Sequence, residues 1–240
     1  MNRSGSTALA AGAGVAAAGA GFVYVRPRLL VWGALPQEIG APMAGDEVVP
    51  LARYRSTHGI SIAATATEVW PWLAQLGQGR GGLYSYDRLE NLFGCGIHSA
   101  SSVVPEWQDL GVGDDVRLVP ADHPAPLRFQ VALAEPPRRL LLVAPGTPDD
   151  AFRAGLPYVS WSFQVNDHLR GCSRLVVRLR SDFRPTPTGL LANKYMLEPV
   201  HWLMERKMLL GIKRRAEQRV ERRSTGRAAE PAAKGSSAVA

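Results

Sequence analysis

Three stretches of near-alternation constrain this chain more than any other feature. Leu127, Phe129, Val131 and Leu133 fall on one side of an extended segment, with Arg128 and Gln130 on the other. Val159, Trp161, Phe163 and Val165 oppose Ser160, Ser162 and Gln164, and Leu175, Val177 and Leu179 oppose Arg174, Arg178 and Arg180. Successive side chains of a strand point to opposite faces, so each stretch reads as a strand with one apolar and one polar face. That pattern belongs to an antiparallel sheet covered on one side only. Five such runs are expected, at Asp115–Val119, Leu127–Ala134, Arg139–Ala144, Tyr158–Val165 and Ser173–Phe183, with Pro- and Gly-containing turns between them. An earlier half-buried strand carries His58, Ile60 and Ile62 in alternation with Thr57, Gly59 and Ser61.

A sheet with one bare apolar face needs a cover. Beyond Pro199, apolar residues recur at three- and four-residue steps: Val200, Leu203, Met204, Met208, Gly211, Ile212, Ala216 and Val220. This long helix is the element able to supply that cover. Two shorter helices precede the strand run. One starts at an N-cap threonine, Thr65 or Thr67, with Glu68 in its first turn, and ends at Gly77; the other spans Leu83 to Phe93. Strands clustered between helices predict an α+β domain over residues 53–222, with a curved antiparallel sheet around the closing helix. Residues 29–52 read as a proline-bearing linker and 223–240 as a disordered Ala/Gly/Ser tail.

The formal charge of +7 is concentrated. Residues Glu205 to Arg227 hold nine Lys or Arg and three Glu, leaving the rest of the chain nearly neutral. One basic helix end is no footprint for nucleic acid. It fits a solvated helix terminus or an anionic membrane surface. Ser4 to Val25 holds no charged residue, with Arg26 and Arg28 just after it. Residues 1–28 are expected as a membrane-spanning segment with the domain on the cytoplasmic side. A cleaved signal peptide ending near Ala18-Gly19-Ala20, which would make the domain secreted, and a plain Ala/Gly tail on a soluble cytoplasmic protein are the alternatives.

No catalytic constellation stands out. Gly77, Gly79 and Gly82 match GxGxxG, but a helix rather than a strand precedes them, so they read as a hinge and no dinucleotide cofactor is implied. The five histidines have no metal-ligand spacing, and no GxSxG elbow occurs. His98, Glu106, Asp87 and Tyr86 are the candidate acid–base residues, each with a purely structural alternative. Tyr84, Tyr86, Asp87, Glu90 and Asn91 crowd the short second helix as a polar lip, with Arg80 as a possible anion partner, or as a network that merely holds an irregular segment. Phe129, Trp161, Phe163 and Val177 face inward from the sheet, and Met204 and Met208 from the closing helix, as cavity lining or as filled core. His201 and Glu205 are spaced to pair across one turn or to sit at the surface.

The stretches GQGRGGLYSYDRLENLFG (77–94), IHSASSVVPEWQDLGVGDDVRL (97–118) and MERKMLLGIKRRAE (204–217), with VWGALPQEIGAPMAGDEVV (31–49) as a lead-in, resemble an uncharacterised bacterial branch of the SRPBCC superfamily. That superfamily groups START lipid-transfer domains, the birch-pollen allergen fold and polyketide cyclase-like proteins. The resemblance covers residues 31 to 220. It implies a helix-grip fold and a cavity for an apolar small molecule such as a lipid, isoprenoid or polyketide-like compound. The expected function is therefore membrane-tethered binding or transfer of such a molecule, without a cofactor. A cyclase or dehydratase-like enzyme using the same cavity is the alternative, and a pocketless interaction module with Trp161 and Phe163 filling the core is a third reading. Fold alone does not choose among them.

Overall fold

The computed structural model describes residues 21–22, 24–92, 94–124, 127–168 and 171–234, with side chains described as far as residue 225. Six antiparallel strands form one sheet: β1 (Tyr54–Ile62), β2 (Asp115–Arg117), β3 (Arg128–Glu135), β4 (Arg139–Val143), β5 (Tyr158–His168) and β6 (Cys172–Asp182). Their spatial order is β1-β6-β5-β4-β3-β2, so the first strand pairs with the last and the sheet runs outward as a meander. The helices are α1 (Pro36–Gly40), α2 (Ala66–Ala74), α3 (Asp87–Leu92), α4 (Pro148–Arg153), α5 (Pro187–Ala192) and α6 (Glu198–Lys234), with a π-helical turn at Asn193–Leu197.

Register puts the expected apolar residues on one inner face. Trp161 pairs with Leu179, Phe163 with Val177 and Val165 with Leu175 across β5 and β6; Leu142 pairs with Trp161 across β4 and β5. His58 pairs with Val177 across β1 and β6 and so belongs to the same face. A bulge between Val131 and Leu133 breaks the expected alternation of β3. An extra residue there switches the face presented, so Leu133 stands opposite Leu141 while Val131 stands opposite Leu142. α6 covers the inner face with Met208, Leu209, Ile212 and Ala216, all buried. Gly211 allows its close approach: a Cβ there would lie 2.4 Å from the Tyr84 carbonyl oxygen.

α2 opens as expected, with the Glu68 carboxylate accepting from the Thr65 backbone N–H at 3.0 Å. α3 begins later than the expected Leu83 because Tyr84 sits at φ +56°, a conformation no helix accommodates. α6 runs past Arg222 into the segment expected to be disordered, where Glu, Arg and Ala are good helix formers.

The other face of the sheet is solvated along β3, where Arg128 and Gln130 are exposed, but covered along β6, which corrects the one-sided reading there. Residues 33–50, expected as linker, pack against it and are held by the three arginines that alternate along β6. Arg178 is 2% exposed and donates to Asp46 Oδ2 (2.7 Å), to the carbonyls of Glu38 (2.7 Å), Ile39 (3.1 Å) and Ala41 (2.8 Å), and to Thr57 Oγ1 (3.1 Å). Arg174 forms a bidentate pair with Glu38 at 2.7 and 2.8 Å, and Arg180 donates to the Val49 carbonyl at 2.8 Å. Alternating arginine matches a solvated face and a face clasped by carbonyls and carboxylates equally well, which is why sequence periodicity misled here.

The expected single-pass membrane localisation is also corrected: among the described residues no helix is long and apolar enough to cross a membrane. Of the anticipated span, residues 1–20 and 23 lie outside the described residues. The cations read as its cytoplasmic flank have another use. Residues 24–30 are helical, and Arg26 makes a bidentate ion pair with Glu198 at the start of α6, at 2.6 and 2.9 Å.

Candidate functional site

Two features stand out on the inner face of the sheet, one beneath the closing helix and one beyond its reach. The first is a buried polar cluster. Glu205 lies on the covered face of α6, one turn before Leu209 and two before Ile212, and is 2% exposed. His58 Nδ1 donates to Glu205 Oε2, and His58 Nε2 donates to the Leu29 carbonyl at 2.8 Å. Both ring nitrogens therefore face acceptors, which only the doubly protonated imidazolium satisfies. The Trp161 indole N–H donates to Glu205 Oε1 at 2.7 Å. His201 Nε2 stands 3.5 Å from the same oxygen, and His201 Nδ1 shares a 2.8 Å hydrogen bond with the Tyr54 hydroxyl.

Burial alone would raise the Glu205 pKa, but the nearby His201 and His58, with the hydrogen bond from His58, hold it well below the usual carboxylate range. Burial alone would likewise depress His58, and the charge and hydrogen bond of Glu205 reverse this and raise it. Tyr54 is raised chiefly by burial. This arrangement is a fixed ion pair rather than a proton-transfer device. The carboxylate is too weak a base, and His58 has no free lone pair to accept a proton.

The second feature is an apolar cleft of about 360 Å³ at the β2–β3 end of the inner face. Phe129, Ala144 and Val159 form its floor, Leu118 and Leu127 one wall, and Leu156 with α4 the other. The charged residues in its walls already have partners. Arg128 pairs with Asp115 at 3.0 Å, and Asp150 caps α4 through Thr147. Trp161 connects the two features. Its ring lies 5.7 Å from that of Phe129 while its N–H is bound to Glu205.

The residues singled out in the sequence are dispersed. Phe129 lines the cleft. Trp161, Phe163, Val177 and Met208 are buried in the main core. Met204 is half-buried, and its carbonyl accepts from Ser85 Oγ at 3.1 Å. Tyr84 is 1% exposed under the guanidinium of Arg215, and Tyr86 lies beneath Lys207. Both Asp87 oxygens accept from Ser99, at 2.6 and 2.8 Å, and Asn91 clasps the backbone of Ile97. Arg80 donates to the Ala74 and Trp107 carbonyls. Gly77 and Gly82 bridge each other as a tight turn. His98 and Glu106 are exposed, and among the described residues neither has a hydrogen-bond partner. Glu90 is 5% exposed with no hydrogen-bond partner for either oxygen, and burial, with the neighbouring Asp87 charge, pushes its pKa up to about 7.

Sequence reasoning left His201 and Glu205 either paired across one turn or at the surface, and missed His58, Tyr54 and Trp161 as members of the cluster. The available signal was a histidine on the apolar face of β1 together with a glutamate in the helical repeat of Leu209 and Ile212. Among the described residues no group of three or more His, Cys, Asp or Glu is placed to hold a metal ion.

No family model and no curated protein matches the chain. Solved structures similar to it include truncated norcoclaurine synthase from Thalictrum flavum, at 15% identity over 65% of this chain and 92% of that one, with a TM-score of 0.38. The Aha1 dimer from Colwellia psychrerythraea matches at 15% identity over 68% and 96%, with a TM-score of 0.38. A polyketide cyclase-like protein from Corynebacterium glutamicum matches at 16% identity over 70% and 94%, with a TM-score of 0.36.

Proposed function

We propose that the protein binds a compact, neutral, apolar small molecule in the cleft floored by Phe129, Ala144 and Val159. The cleft itself carries this reading: apolar side chains of the sheet's inner face left uncovered by α6 beside an opening of about 360 Å³. That volume is near the lower end of the range of roughly 300–1,000 Å³ typical of small-molecule sites, which favours a compact ring system over a long acyl chain. Neutrality follows from Arg128 and Asp150, whose charges are already matched within the protein.

The test is titration with the uncharged lipophilic dye N-phenyl-1-naphthylamine, together with native mass spectrometry of protein purified from its own host. Saturable dye binding is expected, weakened at least about tenfold by Ala144→Trp, which fills the floor, a change of about 1.4 kcal/mol. Equal affinity in Ala144→Trp, or host-purified protein that is always empty and binds no dye, refutes the proposal.

A further inference from the structure

A separate pocket of about 340 Å³ lies between α2, the loop at 101–103 and the C-terminal half of α6. Arg215, Arg219, Arg222 and Arg223 line it, with Ser101 and Ser102 on the facing loop, and no carboxylate contributes to the wall. The four arginines recur at steps of four, three and one along the helix, so all project from one side of it. Like charges at such spacing repel one another and destabilise a helix unless something of opposite sign sits between them.

Three arginines that are at least partly buried elsewhere, Arg26, Arg174 and Arg178, each pair with a carboxylate. Among the described residues, the guanidinium groups of Arg219, Arg222 and Arg223 make no hydrogen bond or ion pair. Burial and the charge of Arg223 depress the pKa of Arg219. Arg215 is held in place, donating to the Ala100 carbonyl at 2.7 Å and lying 4.7 Å over the Tyr84 ring.

We propose that this pocket is an anion site for a phosphoryl group, as free pyrophosphate or on a small phosphorylated molecule. Guanidinium forks bind phosphate oxygens in pairs, and the two serine hydroxyls supply further donors opposite them. Glu68 acts on Arg219 and Asp87 on Arg215 from a distance, but no carboxylate makes an ion pair with any of the four, and four such charges select a multiply charged anion over a single carboxylate. The recess walled by Trp72 and Ser101–Val103 selects a small solute over a flat surface. The site is independent of the apolar cleft, from which it shares no lining residue.

Calorimetric titration of the full chain with inorganic pyrophosphate at low salt is the test. One saturable site is expected, weakening steeply with added salt because its attraction is coulombic. The double variant Arg219→Gln/Arg222→Gln binds at least about tenfold more weakly, a loss of about 1.4 kcal/mol, while Arg153→Gln on α4 binds as the parent does. Circular dichroism and dye binding in the apolar cleft report whether the double variant is folded. If it is not, the single exposed change Arg222→Gln carries the comparison. A parallel arm uses vesicles of neutral and anionic phospholipid. Absence of saturable pyrophosphate binding, affinity unchanged in the arginine variants, or binding to anionic vesicles alone would each overturn the proposal.

Discussion

Replacing Glu205 by leucine removes one acceptor group from His58 Nδ1 and Trp161 Nε1 and takes away the counter-charge beside His201. Breaking one partner out of a buried ion pair costs roughly 3–5 kcal/mol, because the other charge stays buried and unmatched. For a chain of this size each kcal/mol corresponds to about 2–4 °C, so the melting temperature falls by roughly 6–20 °C. The double variant His58→Leu/Glu205→Leu removes both charges and recovers part of that loss, giving a non-additive cycle. The coupling is pH-dependent. Glu205 has a folded pKa below its ordinary 4.5, so its contribution is present above 4.5 and lost as pH falls through the folded value. His58 has a folded pKa above its ordinary 6.5, so its contribution is complete below 6.5 and lost as pH rises through the raised value. Coupling therefore peaks between 4.5 and 6.5 and declines on the alkaline side. Urea denaturation of the four proteins, followed by tryptophan fluorescence inside that window and well above it, measures this directly. Strict additivity inside the window, or coupling that grows with alkalinity, would refute the assignment of His58 as an imidazolium.

Two further outcomes follow from buried groups elsewhere. Arg178→Met leaves the carbonyls of Glu38 and Ala41 without their side-chain donor and takes one donor each from Asp46 and the Ile39 carbonyl, which keep Met43 N–H and Arg55 respectively. Amide exchange in residues 38–49 should then rise at least about tenfold by local opening while β5 and β6 keep their protection; a uniform rise across the protein contradicts the clasp. Glu90 has a pKa raised from 4.5 to about 7, so it costs the folded state stability progressively as pH rises between those values. Glu90→Gln should melt above the parent at pH values beyond about 7 and match it near 4.5; an equal offset at both ends would show that ionisation is not the cause.

Much of the architecture was legible in the chain because a strand's period of two and a helix's three- and four-residue recurrence are local signals. Trp161, Phe163 and Val177 declare their face without reference to anything distant. What was illegible depended on partners far away in sequence. Arg174, Arg178 and Arg180 alternate as solvent-facing residues would, and only the segment from Gly33 to Pro50, more than a hundred positions earlier, shows that they are covered. Arg26 looked like a flanking cation because its partner, Glu198, lies 172 positions away. His98 and Glu106 drew attention by chemical type and loop position, whereas the cluster that forms depends on a histidine and a glutamate 147 positions apart.

The buried cluster also bears on where a ligand has room. Trp161, Phe163, Val177 and Met208 fill the middle of the space between sheet and helix, as a pocketless domain would require. The filling stops at Trp161, because its indole is tied to Glu205 on α6 and cannot swing toward β3. Phe129 packs against that ring, and past it Ala144 and Val159 floor the cleft walled by Leu118, Leu127, α4 and the segment at 156–157. A small side chain at 144, between the larger Phe129 and Val159, leaves the floor open where a bulkier one would close it. The ion pair thus fixes the ring behind Phe129 without lining the cleft itself. Loss of Glu205 should weaken dye binding in the proposed site through the position of Trp161, even if all cleft residues remain in place.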